Sequence, residues 1–247
     1  MILRMNIPPR QHARWAVVAS RSVIFCALSA ALTGCAVAAD KPPAEKNAGP
    51  KSPASTVATN KAAAGKSLFD GKTLTGWKPT DFAGRGDVNV KEGKIILESG
   101  QMTGITWTNA NDLPRMNYEI SLEAMRVEGS DFFCGLTFPV GKDPCSLIVG
   151  GWGGGVVGLS SIDSQDAANN ETTRYVDFQT GRWYLIRLRV TDKKIEAWID
   201  ADKVVDLATT DRTISIRLEM EESKPLGIAT WATAAALRNL QLRRIQP

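Results

Sequence analysis

With one histidine, His12, in 247 residues, acid–base work in this chain falls to carboxylates, lysines and tyrosines. The densest polar stretch is Ser160-Ser161-Ile162-Asp163-Ser164-Gln165-Asp166-Ala167-Ala168-Asn169-Asn170-Glu171-Thr172-Thr173. Its acids Asp163, Asp166 and Glu171 could bind sugar hydroxyls or a calcium ion, a hard cation that takes oxygen ligands. Their irregular spacing is also that of a solvated connecting loop. Just upstream, Trp152 stands within Gly150-Gly151-Trp152-Gly153-Gly154-Gly155, where no sequence neighbour can pack on it. Such a ring is either a platform for the C–H face of a sugar or a plug folded back on the domain. The glycine run is not a phosphate loop, because no Lys-Ser/Thr follows it and no helix opens after it. A third group, Arg187, Arg189, Glu196 and Trp198, shares the polar face of two strand-like runs. It either lines a groove or makes cross-strand Arg–Glu pairs on an exposed sheet.

Those residues must be positioned by strands. From Leu68 onward apolar residues recur at period two in short runs separated by Gly, Asp, Asn and Pro, with no sustained period of 3.6. Tyr118, Ile120, Leu122 and Ala124 alternate with Glu119, Ser121, Glu123 and Met125, and Tyr184, Ile186, Leu188 and Val190 alternate with Trp183, Leu185, Arg187 and Arg189. Val88 to Val90 and Ile95 to Leu97 flank the turn Glu92-Gly93. Further strands are expected at Phe132 to Phe138, Leu147 to Val149, Val156 to Ser160, Ile195 to Ile199, Val204 to Leu207, Leu226 to Thr230 and Leu237 to Ile245. So many short strands without a long helix predict an all-β, two-layer antiparallel sandwich.

The ends of the chain have another composition. Overall there are 30 basic and 26 acidic residues, and the first 34 residues hold Arg4, Arg10, Arg14 and Arg21 with no acid. From Ser67 on, acidic residues outnumber basic ones, which argues against a nucleic-acid partner. The basic start leads into the apolar run Val23 to Leu32, the layout of an export signal and too short to span a bilayer. It ends in Leu32-Thr33-Gly34-Cys35, which resembles the bacterial lipoprotein box and implies lipidation of Cys35. The other reading is ordinary cleavage after Ala36-Val37-Ala38, with Cys35 discarded. Residues 35–66 are rich in Ala, Lys, Pro, Ser and Thr and read as a disordered tether. The organisation expected is therefore residues 1–34 as signal, 35–66 as tether and 67–247 as one folded domain. With Ala36 rather than Asp after the cysteine, the expected location is the outer membrane or cell envelope, held by the lipid anchor only. In an oxidising compartment Cys134 and Cys145 are candidates for a disulfide, with Pro139, Gly141 and Pro144 able to turn the chain between them; two buried thiols is the alternative.

The domain opens with Leu68-Phe69-Asp70-Gly71-Lys72-Thr73-Leu74-Thr75-Gly76-Trp77. This segment resembles the opening signature of the 3-keto-disaccharide hydrolase domain family. Gly181-Arg182-Trp183-Tyr184, the strand-turn-strand Ile195 to Val205 and Arg238-Asn239-Leu240 resemble later segments of the same family. The resemblance implies a jelly roll of the concanavalin A-like lectin/glucanase type, a carbohydrate partner and glycoside cleavage in 3-keto sugars. Where family members carry an Asn-Ser-Gly-like strand and a Gly-Tyr-Glu strand, this chain has Ser130-Asp131-Phe132-Phe133-Cys134-Gly135 and Leu147 to Gly155, and Ile228-Ala229-Thr230-Trp231 stands where a histidine is usual. Asp131, near the Asn-Ser-Gly position, becomes the leading acidic candidate.

A 3-keto group acidifies the neighbouring C2 proton, so one base plus an acid or metal to polarise the ketone suffices for elimination. The catalytic candidates are Asp131, Asp163 and Glu171; the substrate-binding candidates are Trp152, Asp166, Trp198 and Arg187. Two functions follow: an envelope-anchored hydrolase or lyase acting on 3-keto glycosides, and a non-catalytic glycan-binding module on the same fold. No cofactor is required by either, and calcium is the one candidate.

Overall fold

A computed structural model describes residues 65–246, so the signal, Cys35 and nearly all of the tether lie outside the described residues. Fifteen strands run in the order β1 (Lys66–Ser67), β2 (Trp77–Pro79), β3 (Val88–Lys91), β4 (Lys94–Leu97), β5 (Met102–Trp107), β6 (Tyr118–Gly129), β7 (Cys134–Val140) and β8 (Asp143–Gly151). They continue with β9 (Val156–Ser160), β10 (Arg174–Tyr175), β11 (Trp183–Val190), β12 (Lys194–Ile199), β13 (Asp202–Ala208), β14 (Gly227–Trp231) and β15 (Thr233–Arg244). One sheet has the order β13-β12-β11-β6-β15-β4-β3, with β1 also on β15, and the other has β10-β9-β8-β7-β14-β5-β2. Every neighbouring pair in these orders is antiparallel, as in the expected two-layer jelly roll.

Period-two alternation builds the core between the sheets. Ile120, Leu122 and Ala124 of β6 and Ile186, Leu188 and Val190 of β11 point inward and meet Leu136, Phe138, Leu147 and Leu159 of the other sheet. The hairpin of β3 and β4 turns at Glu92 and Gly93 with φ of 51° and 74°, the left-handed pair that matches strand twist. Strand β5 has no alternation to announce it: all six residues are buried, and Thr103, Gly104 and Thr106 interrupt its apolar character.

The register overturns the expected disulfide. The chain does turn between them, at Gly141 and Lys142 with Pro139 and Pro144 facing each other just inside the strands, but β7 and β8 pair Cys134 with Val149 and Cys145 with Phe138. Four residues of extended strand separate the two positions, about 13 Å, beyond the roughly 7 Å that a disulfide can bridge. Both are free, buried thiols, and burial pushes each up to about 12.

Candidate functional site

Glycines interrupt the middle of the outward face of the seven-stranded sheet. Successive pairings place Gly104, Ala229, Gly135, Ile148 and Gly158 in one row across five strands. A Cβ on Gly104 would come within 3.1 Å of the Phe82 ring, one on Gly135 within 3.0 Å of Phe132, and one on Gly158 within 2.8 Å of the Ala167 carbonyl oxygen. The missing side chains let the connections lie directly on the backbone. There Phe82, Phe132, Ala167 and Met220 form a second apolar cluster with Met102 and Ile148, separate from the main core.

Between these coverings lies a cavity of about 230 Å³. Met102, Ile148 and Ser160 reach it from the strands, and Phe132, Trp152, Met220 and Trp231 supply most of its apolar wall. Its charged groups are Asp131, Arg217 and Glu219. Asp131 is fixed by its surroundings: Oδ1 accepts from the Phe132 N–H at 2.7 Å, and Oδ2 from the Gly153 N–H at 3.2 Å. Arg217 donates through Nη1 to Asp166 at 3.1 Å and through Nη2 to Glu219 at 2.8 Å. That guanidinium holds the Glu219 carboxyl below the usual carboxylate range.

The glycine-rich loop that presents Trp152 is held from beneath by Arg126 of β6, which is only 5% exposed. Its Nη2 donates to the carbonyls of Gly154, Asp131 and Gly150 at 2.8, 3.2 and 3.3 Å, and the guanidinium lies 5.1 Å from the Phe133 ring centre. Gly150, Gly153 and Gly154 take φ of 79°, 85° and 110°, and a Cβ on Gly150 would sit 2.7 Å from Arg126 Nη2. Trp152 itself adopts φ of 48° and remains 43% exposed, its ring on the cavity wall.

The sequence pattern of the 3-keto-alpha-glucoside-1,2-lyase-like domain matches residues 64–243, which takes in the whole sandwich and this cavity. The chain belongs to that family. Among curated protein sequences none matches it. Among solved structures it is similar to the Crh5 transglycosylase in complex with NAG, at 14% identity over 75% of this chain and 86% of that one, with a TM-score of 0.52. Two others are the carbohydrate binding module CBM66 from Bacillus subtilis (12%; 68% and 95%; TM-score 0.45) and the carbohydrate recognition domain of Emp47p (16%; 74% and 95%; TM-score 0.46). Membership of the lyase-like family makes this a carbohydrate-directed jelly roll, of the glycosidase-like or the carbohydrate-binding kind.

The sequence candidates distribute unequally over the lyase-like domain. Asp131 and Trp152 meet in the cavity, and Asp166 stands behind Arg217. Asp163 and Glu171 do not join them: both pair with Arg212, at 2.6 and 2.5 Å, outside the cavity. The Thr213 backbone N–H and Arg212 hold Asp163 below its ordinary value. Each of the loop's three acids faces an arginine, and no set of three or more His, Cys, Asp or Glu groups converges among the described residues. Asn170 organises the loop, donating to the carbonyls of Leu159, Gln165 and Asp166. Trp198 and Arg187 are on the other sheet. The Arg187 guanidinium covers the Trp198 ring at 4.2 Å, Arg189 and Lys203 approach the same ring, and Arg189 and Arg243 bind Glu119. These are cross-strand contacts of the kind the second reading of that face describes.

Ser160, Arg217, Glu219 and Trp231 were not among the candidates. Trp231 could have been found by parity, since it continues the outward side of β14 two residues beyond Ala229. Arg217 and Glu219 flank the start of a short 3-10 turn, Leu218–Ser223, where no periodicity marks a face.

Proposed function

We propose that this protein is a glycoside lyase that seats one 3-keto sugar ring in the cavity, with Asp131 as the base and Arg217 as the cation facing the ketone oxygen. The observation that carries this reading is that a fixed carboxylate and a guanidinium border one small cavity whose other walls are Phe132, Trp152 and Trp231. Aromatic faces suit the C–H faces of a pyranose, and at about 230 Å³ the space is sized for one ring rather than a chain.

The chemistry needs little more. The two N–H groups on Asp131 leave lone pairs on its carboxylate free to take the C2 proton. The electron pair moves into the C3 carbonyl, and the resulting enolate faces the guanidinium N–H groups of Arg217 not engaged by Asp166 and Glu219. Collapse of the enolate breaks the C1–O bond; the leaving oxygen takes a proton, returned by Asp131 or supplied by water, and departs as an alcohol. Water added later across C1 and C2 gives the free 3-keto sugar. Export and lipid anchoring through Cys35 would place this reaction at the cell envelope, and mass spectrometry of the mature N-terminus tests that placement.

One observation favours a second reading, a glycan-binding module without turnover: Glu219, the other carboxylate of the cavity, is engaged by Arg217, so Asp131 acts without a partner acid. Incubating the purified protein with methyl 3-keto-α-glucopyranoside and with the unoxidised glucoside separates the two. Methanol release from the keto sugar alone, abolished by Asp131→Asn with binding retained, is the lyase result. Binding without release in the unmodified protein is the module result and refutes the lyase.

A further inference from the structure

We infer that Ser160 reads one hydroxyl of the bound sugar and so determines which ring the cavity accepts. The inference rests on the proposal that the cavity takes a sugar ring, and deepens it.

Three buried side-chain polar atoms among the described residues have no hydrogen-bond partner: Arg126 Nε, Ser160 Oγ and Ser223 Oγ. Of their residues only Ser160 lines the cavity. It is 1% exposed and ends β9 on the outward side of the sheet. Its cross-strand partner Ser146 already shares a hydrogen bond with Thr137 at 2.9 Å, which satisfies those two hydroxyls and leaves Ser160 alone. Of the other cavity-lining side chains, Met102, Ile148 and Met220 are apolar and can offer it no partner.

A hydroxyl buried in this way lowers the stability of the ligand-free protein, because its desolvation is not repaid. A bound ring that turns a hydroxyl toward Ser160 repays it. The same asymmetry makes such a group selective: a ligand lacking that hydroxyl leaves Ser160 buried and unpaired, a stronger penalty than loss of one apolar contact. Aromatic walls that accept any pyranose face would thus be joined by one group that distinguishes ring substituents.

The test is a tryptophan-fluorescence titration of the full chain with methyl 3-keto-α-glucopyranoside, methyl α-glucopyranoside and the 2-, 3-, 4- and 6-deoxy forms of the latter. The wild-type protein is expected to bind one deoxy sugar roughly tenfold or more weaker than the parent. Ser160→Ala is expected to bind the parent as weakly as that one deoxy sugar, losing discrimination at that position alone. Its ligand-free Tm is expected to match or exceed wild type, since an unpaired hydroxyl has been removed. A Ser160→Ala protein that keeps the wild-type pattern across the panel overturns the role of Ser160 while leaving the sugar site standing. A ligand-free Tm several degrees lower overturns it as well, by showing a structural hydroxyl. Failure of the wild-type protein to bind either parent overturns the sugar site itself and the role of Ser160 with it.

Discussion

Arg126→Met offers a direct test of how the Trp152 loop is held. The guanidinium makes three hydrogen bonds of 2.8 to 3.3 Å to loop carbonyls and a fourth contact, at 3.5 Å, to the Phe178 carbonyl. The three nearer carbonyls share the two hydrogens of Nη2, so at about 1.5–3 kcal/mol per hydrogen bond to a charged group the gross loss is about 3–6 kcal/mol. Against it stands the cost of burying a cation with no carboxylate in contact. The same burial draws the Arg126 pKa below its ordinary value. The net destabilisation expected is about 2–4 kcal/mol, since methionine fills the volume of the aliphatic stem but bonds no carbonyl. For a domain of this size that lowers Tm by roughly 5–15 °C, and the loss is independent of pH between about 5 and 9 because the guanidinium does not titrate there. With the loop released, Trp152 should also lose its place on the cavity wall, so glycan titrations followed by tryptophan fluorescence should weaken in the same variant. Arg187→Met is the matched control: it removes an arginine stacked on Trp198 on the opposite sheet and should shift Tm by about 3 °C or less. An Arg126→Met protein with Tm within about 2 °C of wild type and unchanged glycan affinity would refute the account of the loop.

Trp152→Ala should weaken glycan binding about 3- to 10-fold through the lost aromatic face, whereas Trp198→Ala, on the opposite sheet beneath three cations, should leave affinity unchanged. Cys134 and Cys145, buried and with thiols pushed up to about 12, should react with Ellman's reagent only after denaturation, and reductant should leave Tm unchanged; a reductant-sensitive Tm would mean a disulfide. Arg217 holds Glu219 below the usual carboxylate range, so the stability from this pair is fully present above the unfolded carboxylate value, near 4.5, and is lost as pH falls through the lower folded value. Glu219→Gln should remove that acid-side slope, an effect of about 0.5 kcal/mol given how exposed both side chains are, readable in acid titrations of Tm.

The sandwich was legible because alternation is strong wherever one face of a strand is core and the other is wet, as in β6, β11 and β12. It failed at β5, whose two faces are both covered, so that threonine and glycine serve where a period was sought. The glycine run was recognisable as a presenter of Trp152, but its anchor was not: the alternation of β6 puts Arg126 on the inward side with Ile120, Leu122 and Ala124, yet it is 24 residues from Gly150 in sequence, and nothing in the sequence says which carbonyls it meets. The polar loop was legible only as composition. Oxygen-rich composition is the same whether acids converge on an ion or each faces an arginine, and Arg212 and Arg217, the partners its acids take, lie in a different connection. The Cys134–Cys145 spacing likewise suggested a turn correctly and a bridge wrongly, because a hairpin sets opposite partners by register rather than by proximity in sequence.

The row of Gly104, Ala229, Gly135, Ile148 and Gly158 divides labour between two kinds of inheritance. Strand pairing is written into the backbone and the inner face, whereas most of the cavity's walls come from strand ends and connections, Phe132, Trp152, Arg217 and Trp231 among them. A lineage could therefore lengthen or rewrite those connections and acquire a new ligand without disturbing a ladder. The converse also holds: a larger residue at Gly135 would meet Phe132 at once and Met220 at 3.3 Å, altering two walls with one substitution. In this molecule the glycine positions of the sheet set how closely the cavity's walls lie on it, and they are where a directed change of the cavity would most economically begin.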